Sequence, residues 1–213
     1  MPLLRRWWPN ILANLPSKDS GVRYRLEGYL FPATYNYGKD TTVKEMIDQM
    51  LAAMDQNLSP YYETLESKNI NVNEVLTLAS LVEKEGATDQ DRKDIASVFY
   101  NRLNQDMPLQ SNIAILYAEG KLGQKTTLKE DATINTELDS PYNIYKNTGL
   151  MPGPVDNPGV SAIEAAVNPS KTDYLYFVAN VENGEVFFAK TYEEHNKNVE
   201  EHVNSKLTQA SSN

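Results

Sequence analysis

Apolar positions recur at helical spacing through most of the chain. Val43, Met46, Ile47, Met50, Leu51 and Met54 fall three and four apart, and Thr42 with Glu45 supplies a capping box in front of them, so the pattern predicts a helix opening at Thr42. A second, shorter helix is expected from Pro60 to Lys68. Val75, Leu78, Ala79, Leu81 and Val82 mark a third, with Asn73 as its cap and Gly86 as its stop. Thr88 and Asp91 open a fourth, whose inner stripe is Ile95, Val98, Phe99 and Leu103. Ser111 or Asn112 caps a short helix ending at Gly120, and Thr127 with Glu130 opens another.

Strand signals are fewer. "VRYRLEGYLF" (22–31) allows one short strand within an otherwise irregular first 40 residues. "YLYFVANVENGEVFFAK" (174–190) predicts a hairpin with Asn183-Gly184 as a two-residue turn; Tyr174, Tyr176 and Phe177 are assigned there to core and sheet face. From Ser140 to Gly159, "SPYNIYKNTGLMPGPVDNPG" consists of turn formers and tyrosines, a long loop of the kind that carries function in compact domains. A short helix at "VSAIEAAV" (160–167), a polar C-terminal helix and a frayed "QASSN" complete the pattern. The class is α+β, mostly helical with one small antiparallel hairpin. The organisation expected is an irregular lead-in over 1–40, a single domain over 41–207 and a disordered tail over 208–213.

Composition narrows the chemistry. The 213 residues, 40% of them hydrophobic, suffice for one domain with a real core. Twenty Lys and Arg face 29 Asp and Glu, a formal net charge of -9 dispersed along the chain, which argues against a nucleic-acid binder tracking phosphates. The absence of cysteine removes disulfides, thiolate nucleophiles and Cys-held metals together. No stretch approaches the roughly 18 apolar residues of a membrane span, and the first residues lack the apolar core of a signal peptide. The chain is therefore expected to be soluble, whether whole or cut from something anchored.

The candidate chemistry lies in "LASLVEKEG" (78–86). On a helix advancing about 100° per residue, Glu85 falls beside Leu78 and Leu81, Glu83 beside Leu76, Ala79 and Ser80, and Lys84 points away. Glu85 also occupies the last turn, where the negative end of the helix dipole opposes its ionised form. Desolvation acts in the same direction, and a glutamate held protonated suits a general acid. On these residues alone a second reading stands beside it: Glu-Lys-Glu before a glycine is common surface punctuation at a helix end.

Several longer stretches bear on that choice. "LASLVEKEG", "VFYNRLNQDMPLQSN" (98–112), the 140–159 loop, "AAVNPSKTDYLYFVAN" (165–180) and "HNKNV" (195–199), with "LEGYLFPATYNY" (26–37) upstream, resemble in order and spacing the MltG (YceG-like) endolytic murein transglycosylases from about Leu26 to Val203. The resemblance implies a catalytic domain outside the cell membrane with a lysozyme-like glutamate at a helix C-terminus, anchored in the whole protein by one transmembrane helix. It implies cleavage between N-acetylmuramic acid and N-acetylglucosamine in nascent peptidoglycan. The catalytic glutamate of the family motif, the second, falls on Glu85. One carboxylate is enough if the substrate's own C6 hydroxyl closes a 1,6-anhydro ring, so no cofactor and no metal is expected. Penicillin-binding proteins are expected partners, nucleic acid is not, and the membrane enters only through an anchor absent from this chain.

Many relatives carry aspartate where this chain has Asn112; an amide cannot serve as nucleophile or base, which weighs against a two-carboxylate hydrolase through that position. Asn101, Gln110 and Asn112 can offer amides to N-acetyl groups and hydroxyls, and Tyr142, Asn143 and Tyr145 sit on the loop where rings could stack on sugars. Each could instead serve capping or loop structure. His195 matches the family's motif and His202 nothing; two histidines seven apart with no third ligand do not suggest zinc. The rival functions are a noncatalytic glycan-binding or partner-binding module and a hydrolytic muramidase.

Overall fold

The computed structural model describes residues 10–124, 134–180 and 183–205. The helices are α1 (Val43–Leu58), α2 (Tyr62–Ser67, led in by a 3-10 turn at Ser59–Tyr61), α3 (Val72–Glu85), α4 (Asp89–Leu103), α5 (Asn112–Ala118), α6 (Val160–Val167) and α7 (Tyr192–Val199), the last running into a π-helical stretch at Glu200–Asn204. Strands β1 (Tyr176–Ala179) and β2 (Val186–Ala189) form the two-stranded antiparallel sheet. Mostly helical with one small sheet, the architecture is the α+β class expected from the sequence. The helix expected at Thr127 and the frayed tail lie outside the described residues.

Helix α3 is the central element because its apolar residues surround it. Val72, Val75 to Val82 and the small Ser80 and Thr77 are all buried, and α3 packs on α4, α5 and α6. Ser80 and Thr77 avoid orphaned hydroxyls by donating to main-chain carbonyls one turn back. On α4, Ile95, Val98 and Phe99 face the core, each contributing about 1.5–3 kcal/mol of apolar burial. Ile11, Leu12 and Tyr29 from the irregular N-terminal segment join the same core.

Three sequence expectations change and one open alternative is resolved. The cap of α3 is Asn71, since Glu74 at the third helical position closes a reciprocal box with it; Asn73 has Leu76 at that place and instead accepts from the Tyr29 hydroxyl and donates to the Pro152 carbonyl. Ser111, not Asn112, caps α5. The 22–31 stretch is a succession of turns, with Glu27 N–H donating to Tyr24 O and Tyr29 N–H to Leu26 O; Gly28, at φ 80°, turns so close to Pro154 that a Cβ would lie 2.3 Å from its Cγ. The hairpin connection is longer than two residues. With Phe177 opposite Phe188 and Ala179 opposite Val186, Asn180 N–H still donates to Glu185 O, so pairing ends there and the connection is longer than Asn183-Gly184 alone.

The 140–159 loop is ordered by burial rather than by repeating structure. Tyr142, Asn143, Ile144, Met151 and Val155 are buried, and Val155 N–H donates to Ser80 Oγ on α3. Asn143 donates to the carbonyls of Thr136 and Leu138 and accepts from Tyr145 N–H, replacing a ladder that the loop lacks.

Candidate active site

At the end of α3 the three charged residues are held in three different directions. Glu83 Oε2 accepts from Gly159 N–H at 3.0 Å, at the cap of α6, and its Oε1 lies 3.5 Å from the Arg92 guanidinium. Lys84 pairs with Asp156 at 2.9 Å. Glu85 turns the other way and accepts from the Ser111 hydroxyl at 2.7 Å. Gly86 ends the helix by close approach: a Cβ there would sit 2.5 Å from Arg92 Cγ, so only glycine lets α4 begin directly against the end of α3.

Burial raises the Glu85 carboxyl above the ordinary glutamate range, and the hydrogen bond from Ser111 offsets part of that rise. Part of the Glu85 residue remains open to solvent, while its carboxyl is crowded by protein. No charged side chain among the described residues is a leading cause of its shift.

Opposite Glu85, the segment Gln110–Ser111–Asn112 holds three groups with three consecutive residues. Gln110 Oε1 accepts from Arg102, Ser111 donates to Glu85, and Asn112 Oδ1 accepts from the Tyr145 hydroxyl. Gln110 carries φ 57°, a left-handed conformation that a residue with a Cβ adopts at a cost, and its N–H donates to Ile144 O. Tyr145 is pushed up to about 12, by burial first and then by the Glu85 charge, while Arg102 acts in the opposite sense. Glu85, Tyr145 and Arg102 are thus electrostatic neighbours around one strained segment.

Of the residues singled out from sequence, Glu85, Gln110, Asn112 and Tyr145 come together here. Asn101, Tyr142 and Asn143 are engaged elsewhere. Asn101 donates to the carbonyls of Thr172 and Tyr174, tying the approach to β1 onto α4. Tyr142 is 4% exposed with its ring 5.0 Å from Tyr117, and Asn143 is 1% exposed with its amide spent on the loop. Burial leaves these two no surface for a sugar. Two participants were not assigned a site role from sequence. Arg102, 5% exposed, donates to the carbonyls of Leu175, Pro108 and Leu109 and lies over the Tyr176 ring. Ser111 was legible only as a cap; its reach to a carboxylate 26 positions away is a tertiary fact. His195 stacks on Tyr176, and burial with the nearby Arg102 lowers its pKa.

The mostly helical domain thus presents one desolvated, hydroxyl-bonded glutamate at a helix end. The chain belongs to the YceG-like family, whose model matches residues 7–201. It is 66% identical over 200 residues to a protein of Streptococcus pneumoniae serotype 2 named endolytic murein transglycosylase, covering 94% of this chain and 36% of that one. A Bacillus subtilis protein of the same name is 45% identical over 204 residues, covering 95% of this chain and 55% of its own length. The chain therefore spans between about a third and just over half of these curated relatives. Among solved structures, a yceG-like protein of Listeria monocytogenes superposes with a TM-score of 0.80 at 46% identity, over 92% of this chain and 62% of the other.

Proposed function

We propose that this chain carries the catalytic site of an endo-acting murein transglycosylase and that Glu85 is its acid and base. The observation that carries the reading is the Glu85 carboxyl: raised by burial, on a residue that is itself partly exposed, and held by a hydroxyl rather than by a cation. Glu85 donates its proton to the oxygen of the bond between N-acetylmuramic acid and N-acetylglucosamine as that bond breaks. The resulting carboxylate takes the proton of the muramoyl C6 hydroxyl while O6 bonds to C1, closing the 1,6-anhydro ring. No water is consumed, and the carboxyl returns to its protonated state. A hydrolase would need a second carboxylate across the bond. Among the described residues, Glu85 is bonded to the Ser111 hydroxyl, and Asn112 and Tyr145, bonded to each other beside it, are likewise not acidic.

The name of the relatives supports glycan strands of peptidoglycan as the substrate and, with that, the outer face of the cell membrane as the place of action. Contacts with cell-wall synthesis proteins such as penicillin-binding proteins, and a membrane anchor in the whole protein, belong to the same proposal. Gln110, Asn112 and Tyr145, beside the acid, are the proposed glycan contacts. Mass spectrometry of muropeptides released from purified sacculi tests the reaction. Anhydro ends are expected; reducing ends would make the protein a muramidase, and intact strands would leave a binding module.

A further inference from the structure

Ser111 does more at this site than cap a helix. Its Oγ accepts from Ile113 N–H at 3.2 Å and donates to Glu85 Oε1 at 2.7 Å, and the residue is 3% exposed. A serine hydroxyl has one proton and two lone pairs. An amide N–H can only donate, so the Ile113 contact claims a lone pair and leaves the single proton for Glu85. The cap thus fixes the direction of the hydroxyl, and the backbone at Gln110, strained at φ 57°, fixes where the cap stands.

We infer that Ser111 is a positioning residue for the acid: by donating to Oε1 it leaves Oε2 as the oxygen that carries the transferable proton, and it holds the carboxylate that forms when the proton has left. This inference rests on the proposed role of Glu85. The bond to Oε1 strengthens as the carboxyl ionises, because hydrogen bonds to charged acceptors are the stronger ones. It therefore favours the moment of proton donation over the resting acid.

Among the described residues, the other groups near Glu85 do not duplicate this role. Tyr145, from the 140–159 loop, bonds to Asn112; Arg102 of α4 is engaged with carbonyls and Gln110; Arg92 of α4 lies against Glu83 and Asp89; Lys84 of α3 itself holds Asp156.

Three variants of the chain and one direct measurement test the inference. Ser111→Ala and Ser111→Gly remove the hydroxyl, glycine being the better cap, whereas Ser111→Thr keeps it. For alanine and glycine, kcat on glycan strands should fall about 10- to 100-fold, the size of a hydrogen bond to a charged group, with KM changed less than about threefold. The alkaline limb of the pH profile should move upward, since burial is then unopposed and the acid keeps its proton to higher pH. Threonine should restore both. A cap alone would lower the melting temperature of Ser111→Ala and leave kcat and the pH profile in place, and that result overturns the inference. So does a threonine variant as impaired as alanine. The Glu85 carboxyl is also titrated by carbon-13 NMR in wild type and Ser111→Ala. An upward displacement supports the hydrogen-bond role even if the wild type releases no anhydro ends, which would count against the reading of Glu85 alone; an unchanged titration refutes the role of Ser111.

Discussion

Two carboxylates lie one residue apart at the end of α3, and the structure treats them oppositely. Glu83 faces the start of α6 and the side of α4, where an amide N–H and a guanidinium neutralise it and leave its oxygens committed. Glu85 faces Ser111 and the tyrosine loop, where burial opposes its charge and one hydroxyl is its hydrogen-bond donor. The same residue type is a structural tie on one side of the helix and the proposed proton carrier on the other. The difference is made by what the fold brings opposite, since helix propensity and dipole treat both much alike.

The largest expected consequence is kinetic. Glu85→Gln keeps the shape and the Ser111 hydrogen bond but cannot exchange a proton, so release of anhydromuropeptides should fall by roughly 10²–10⁴-fold. Stability should move the other way. A carboxyl whose folded pKa is raised binds more protons folded than unfolded, so it stabilises the fold only below the ordinary glutamate value and costs stability as pH rises through the folded value. Glu85→Gln is therefore expected to melt no lower than wild type at pH 7. A normal rate for this variant, or a clear loss of melting temperature, would break the contrast between the two glutamates.

The second consequence concerns the two tyrosines of one loop. Tyr142 is packed on Tyr117, so Tyr142→Ala should cost about 3–5 kcal/mol in a denaturant titration, the usual toll for emptying a buried aromatic site. Tyr145 is half-buried beside Glu85 and Asn112. Tyr145→Phe, which removes only the hydroxyl, should keep the fold and lower turnover. If Tyr142→Ala were to spare stability and remove activity, the division of the loop into a packed part and a site part would be wrong.

Local rules account for what the sequence disclosed. Helix caps, apolar stripes and the glycine after α3 depend on neighbours within four positions, and the 43–58, 89–103 and 160–167 helices were legible for that reason. The preference for Glu85 over Glu83 was legible too, as an angle on a helical wheel. The uses of Asn101 and Asn143 were not. Their amides bond to carbonyls of segments whose approach no local pattern encodes. The loop rich in turn formers was legible as one that carries function, but not that its apolar residues reach α3, where Ser80 and Asn73 offer its backbone hydrogen-bond partners. The turn of the hairpin was misread because Asn-Gly favours a tight turn by itself, while the facing phenylalanines fix a register that leaves more residues to connect.

Glu83→Gln should sit at the small end of the scale. The amide still accepts from Gly159 N–H but forfeits the charge facing Arg92, an interaction at 3.5 Å between partly exposed groups that is worth at most about 1 kcal/mol. Activity should stay within about threefold of wild type.

The smallest effect is expected from placing an acidic residue at position 112. Asn112→Asp places a carboxylate where the Tyr145 hydroxyl already donates, so the bond is kept and becomes charge-assisted. The added charge lies one residue from Ser111, the hydroxyl bonded to Glu85, and a like charge at that range disfavours ionisation of the acid. The alkaline limb of the activity profile should therefore shift upward by less than about one pH unit, with kcat at neutral pH changed only a few-fold. Because Glu85 is proposed to work alone, the new carboxylate should leave the products as anhydro ends. If Asn112→Asp began to release reducing ends, position 112 would be serving as a second carboxylate across the bond, and the single-acid account of this site would give way to a hydrolytic pair.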